Sequence, residues 1–69
     1  MEVNKLDIIN IFKSEFTIIP IELLIVINSE SNLDYDILYK NLILFGSENP
    51  KKNKSCKKVI KKLENYFYN

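Results

Sequence analysis

The sequence predicts an all-α domain of three to four short helices, and three observations carry that prediction. In the last third, Cys56, Val59, Ile60, Leu63, Tyr66 and Phe67 recur at i, i+3, i+4, i+7, i+10 and i+11, the spacing of one helical face. In the first third, apolar residues at 3, 6, 8, 9, 11, 12 and 16 are set against a polar strip of Asn4, Asp7, Asn10 and Ser14. No two runs read as partner strands, so a sheet has nothing to pair with. The expected segments are 2–16, 20–28, 33–45 and 55–67 within a single domain spanning 1–69.

Taking these in order, the first helix ends before Ile19, which the following proline pushes toward an extended conformation. Pro20 suits the opening position of a second helix, where its missing N–H costs no hydrogen bond. Glu22 then falls in the first turn, where a carboxylate complements the helix dipole. The run "LLIVI" at 23–27 is almost wholly apolar, so a buried strand competes with a buried helix; the absence of a partner strand favours the helix.

The polar break "NSESN" at 28–32 precedes the third segment, and Ser31 with Asp34 has capping-box spacing. Leu33, Ile37, Leu38, Leu42 and Phe45 share one side of that helix, and Gly46 is expected to end it in a left-handed cap. "SENPKKNK" reads as an exposed loop and Ser55 as the cap of the last helix. The resulting bundle has room for a helix-turn-helix arrangement.

A chain of 69 residues buries only about 60% of the surface its unfolded state exposes. Small domains often compensate with disulfides, metal or self-association. One cysteine and no histidine leave the third device, so a homodimer or a docked partner is expected. The single cysteine and the absence of a leader after Met1 point to a cytoplasmic, intracellular protein. The longest apolar stretch, Phe16 to Ile27, is too short and too interrupted to span a bilayer, which takes about 20 residues.

The same absences exclude much chemistry. Without histidine there is no imidazole base and no Ser-His or Cys-His pair, and one cysteine makes no zinc site. The single glycine rules out a glycine-rich phosphate loop. Asp34 and Asp36 are two apart and diverge on a helix, so they are read as first-turn acids, not as a catalytic pair. Glu22 and the core-facing Cys56 are given structural roles as well. No catalytic residue, metal ligand or cofactor is assigned, and the expectation is a non-enzymatic protein.

Charge carries the functional signal. Residues 1–50 hold three lysines against eight acids, net −5, and residues 51–69 hold seven lysines against Glu64, net +6. Opposite the apolar stripe of the last helix lie Lys57, Lys58, Lys61, Lys62 and Asn65, with Lys51, Lys52 and Lys54 extending the field into the preceding loop. Like charges at 57–61 and 58–62 repel along the helix, with no acid placed to relieve them. Tyr35, Asp36 and Tyr39 form a second candidate contact, since tyrosines one turn apart supply rigid amphipathic area for a protein partner.

Lys, Asn, Ile, Tyr and Phe make up 38 of the 69 residues, and Ala, Arg, Gln, His and Trp are absent, the signature of an AT-rich coding sequence. Two functions are expected from different classes. The first is a small inhibitor or adaptor of the kind a virus, phage or mobile element encodes, docking on a protein through its charge-polarised surface. The second is a nucleic-acid reader. The stretch "PKKNKSCKKVIKKLENYF" resembles the recognition helix of winged-helix regulators, a small residue opening a helix that closes on a Leu-Glu pair, here Leu63 and Glu64. That resemblance implies a DNA-binding transcription regulator using the 55–67 helix.

Overall fold

Helix α1 runs Lys5–Lys13, α2 Ile21–Ser29, α3 Tyr35–Glu48 and α4 Asn53–Tyr68, with one 3-10 turn, Pro50–Lys52, joining α3 to α4. This computed structural model describes residues 3–29 and 31–69, and every regular element among them is helical. The expected start of the first helix at residue 2 and the Glu30 part of the polar break lie outside the described residues.

Local chemistry explains each boundary. Asn4 caps α1, its side chain accepting from the Leu6 N–H at 2.9 Å, with Asp7 in the first turn and Lys13 in the last to complement the dipole. The helix stops at Lys13, short of the expected residue 16, where the Ser14 hydroxyl donates to the Ile11 carbonyl at 2.6 Å. Such local bonds compete with helix continuation. Pro20 precedes α2, and its carbonyl accepts from the N–H groups of Leu23 and Leu24 at 3.0 Å each. Residues 23–27 are helical, as the lack of a partner strand requires. Asp34 caps α3 directly, accepting from the Ile37 N–H at 2.9 Å, so Ser31 has no part in a capping box.

The largest departure lies between α3 and α4. Gly46 does not terminate α3; the helix continues through it to Glu48, and no glycine has a positive φ. Gly46 is instead a point of tight approach to the next helix: a Cβ there would stand 2.5 Å from Asn53 Oδ1. The expected loop is absorbed into the last turn of α3, one 3-10 turn opened by Pro50, and the first turn of α4. Helix α4 begins at Asn53, so Ser55 lies inside it and caps nothing.

At the other end of the pair, Tyr35 at the start of α3 meets Phe67 and Tyr68 at the end of α4, with ring centroids 6.3 and 5.3 Å apart. Contact at both extremities makes α3 and α4 an antiparallel hairpin packed along its length. That differs from the roughly 90–120° crossing of a helix-turn-helix pair.

All four helices share one core. Ile8 and Phe12 come from α1, Leu23 and Ile27 from α2, Leu38, Leu42 and Phe45 from α3, and Cys56, Val59, Ile60 and Leu63 from α4. Phe16, Ile19 and Leu33 fill it from the connections, Phe16 meeting Phe45 edge to face at 6.4 Å. Burying each large aliphatic side chain contributes roughly 1.5–3 kcal/mol, so the apolar stripe of α4 is its anchor. No described helix is long and apolar enough to cross a membrane.

Candidate functional site

Because Cys56, Val59, Ile60 and Leu63 are buried, the residues between them are forced outward. Lys54, Lys57, Lys58, Lys61 and Lys62 consequently line a shallow groove of about 620 Å³ together with Glu15 from the α1–α2 connection. Five of the six basic-helix residues expected from the sequence therefore come together. Asn65 does not: it is exposed beyond the groove, its side-chain oxygen accepting from the Asn69 amide at 2.9 Å and its carbonyl from the Asn69 N–H.

Glu15 is the residue that sequence reasoning missed. Its carboxylate accepts from Lys62 Nζ at 2.7 Å, and the same ammonium group donates to the Ser14 hydroxyl at 2.7 Å. This hydrogen bond, reinforced by the charges of Lys62 and Lys58, holds the Glu15 carboxyl below the usual carboxylate range against the opposing effect of burial. The expected repulsion between Lys58 and Lys62 is thus relieved, by an acid 47 positions away in sequence from Lys62. No local spacing signals such a pair. Among the described residues it is the one ion pair, so Lys54, Lys57, Lys58 and Lys61 carry no carboxylate partner there.

The tyrosine site is built in part. Tyr35 is half-buried and stacks on Tyr39 at 5.7 Å with 26° between the rings. Burial raises the Tyr35 hydroxyl's pKa, with the Glu64 carboxylate adding to it. Tyr39 is 41% and Tyr68 69% exposed, so the two form a small aromatic surface around Tyr35; Asp36 is exposed in the first turn of α3, outside these ring contacts. Tyr68 joins this surface through the antiparallel pairing of α3 and α4, which the sequence does not display.

Tyr66 has a structural assignment. Its hydroxyl donates to Asp7 Oδ2 at 2.9 Å and accepts from the Asn4 N–H at 3.3 Å, tying α1 to the end of α4. Cys56 is buried, and burial pushes its thiol pKa up against the weaker pull of Lys52. Such a thiol is poorly poised as a nucleophile. Among the described residues no three His, Cys, Asp or Glu side chains gather as metal ligands would. Comparison of the chain with protein-family models, curated proteins and solved structures gives no match.

Proposed function

We propose that this protein is a non-enzymatic binding module, an inhibitor or adaptor, that docks an acidic segment of a partner protein in the α4 groove. The observation that supports this most directly is the convergence of Lys54, Lys57, Lys58, Lys61 and Lys62 on one groove, carried by a helix whose opposite face is its apolar anchor. A helix fixed to its core presents these cations at little further cost in backbone ordering. Groove charge steers an acidic partner to the surface and sets its register. Glu15 favours a discrete protein over a polyanion, because a carboxylate inside the groove repels a continuous phosphate backbone but leaves room for separated acids.

A second reading, nucleic-acid binding through α4, is favoured by one observation: the link between α3 and α4 is only the four residues 49–52, close to the 3–4-residue turn of helix-turn-helix units. The antiparallel course of the two helices counts on the other side, since it leaves α4 flanked by α3 along its length.

Paired measurements separate the two. Lys57→Glu with Lys61→Glu reverses two groove charges and leaves the Lys62–Glu15 tie in place. The protein reading expects binding to an oligoglutamate peptide that this variant loses, and a partner from the source cell that survives nuclease treatment and is lost with the same variant. Four lysines without a carboxylate partner among the described residues give the nucleic-acid reading a log K against log salt slope of about −4 on random duplex DNA. Tight duplex binding with that slope and only nuclease-sensitive capture would reverse the order of the two readings.

A further inference from the structure

Helix α2 is the most apolar helix of the fold and is only partly covered. Six of its nine residues are apolar, Ile21, Leu23, Leu24, Ile25, Val26 and Ile27, yet only Leu23 and Ile27 are buried. A helix apolar around its circumference belongs in an interior. Here Ile21 is 63% and Ile25 57% exposed, and Ile18, in the segment leading into the helix, is 82% exposed. Ile21 and Ile25 lie one turn apart and form a ridge. Alongside runs a shallow groove of about 410 Å³, lined by Ile9, Lys13, Thr17, Ile18, Ile19 and Leu24. Leu24 is three residues from Ile21, so ridge and groove are neighbours on one face.

We infer that this face is a homodimer interface, its occupant being a second copy of the chain. A two-fold axis between a ridge and an adjoining groove seats each ridge in the other copy's groove, which is the self-complementarity an isologous contact requires. The three isoleucines expose about two isoleucine side chains' worth of apolar surface. That is the apolar centre only; a standard interface takes about 800 Å² per partner, so the groove walls and the charged rim supply the rest and the dimer is a weak one. The rim is matched as well. Exposed Glu22 and the groove residue Lys13 are one acid and one base beside the same ridge, and a two-fold axis brings each toward its opposite in the second copy. A uniformly acidic or basic partner would leave one of them opposed by like charge. The interface is independent of the α4 groove and does not rest on its proposed function.

Sedimentation equilibrium on the full chain, from about 1 µM to about 1 mM, tests this, with half-association expected on the order of 10–100 µM. Mass is expected to climb from 8.2 kDa toward twice that value. Ile21→Lys with Ile25→Lys is expected to remain monomeric throughout with unchanged helix content, since both side chains are exposed. Lys13→Glu alone is expected to weaken association several-fold, and adding Glu22→Lys to restore it, a rescue that a folding defect does not produce. A constant monomer mass up to about 1 mM, or a dimer indifferent to the double lysine variant, overturns the inference. So does a monomer that instead loads onto phosphatidylcholine vesicles through the same isoleucines.

Discussion

Replacing Gly46 with alanine opposes two effects that the structure allows to be weighed. Gly46 lies inside α3 with an ordinary negative φ, so alanine gains about 1 kcal/mol of helix propensity. Against this, the new Cβ stands 2.5 Å from Asn53 Oδ1, well inside contact distance. The Asn53 Cγ at 3.4 Å and Cα at 3.6 Å are tolerable, so rotation of the amide relieves the clash without parting the helices. Driving a side chain off its rotamer costs about 0.5–1.5 kcal/mol. Gly46→Ala alone is therefore expected to fall within about 0.5 kcal/mol of wild type.

In an Asn53→Ala background the obstruction is gone and the same substitution should stabilise by about 1 kcal/mol, a rise of about 4–8 °C in Tm. Urea denaturation followed by circular dichroism, run as a double-mutant cycle, measures a coupling of about 1 kcal/mol. A full 1 kcal/mol gain from Gly46→Ala in the wild-type background, or a coupling near zero, would refute the close approach of α3 and α4.

Two further outcomes follow from the same geometry. Because the Glu15 carboxyl titrates lower in the folded chain than in the unfolded one, its contribution is present above the ordinary glutamate pKa of about 4.3 and is lost as pH falls through the depressed value. Urea midpoints should accordingly fall on acidification in wild type, and less in Lys62→Met, which no longer holds that carboxylate; identical profiles would contradict the tie. The buried Cys56 thiol should react with a disulfide reagent only through opening of the fold, at a rate that rises with urea in step with unfolding, whereas native-state labelling at the rate of a free cysteine would place the thiol outside the core.

Helices α1, α3 and α4 were legible in the sequence because each buries an apolar stripe of helical period, clearest in α4, and α2 because its apolar run has no strand to pair with. The outward lysines were legible for the same reason, being what the stripe leaves behind. What local pattern concealed is tertiary in origin. Gly46 matches a helix stop in composition, but its missing side chain serves the approach of Asn53. "SENPKKNK" is polar enough for a loop, yet the packing of Phe45 and Cys56 into one core draws both helices toward each other and leaves only Asn49–Lys52 between them. Glu15 had no visible claim on the basic face, and Tyr68 none on the Tyr35–Tyr39 pair, because both meetings depend on how α1 and α3 lie against α4.

The polar ties of α1 and the connection that follows it fall on only one half of α4, at Lys62 and Tyr66. Traced from Lys54 toward Lys62, the groove thus passes from cations without a carboxylate partner among the described residues to one already satisfied by Glu15. An elongated guest encounters a gradient of unmet charge, and inserting it one way round is energetically unlike inserting it the other. If the groove takes the proposed acidic segment, the surface encodes direction as well as sign: the densest cluster of acids would be drawn to the Lys54 end, and the less charged end would come to rest beside Glu15.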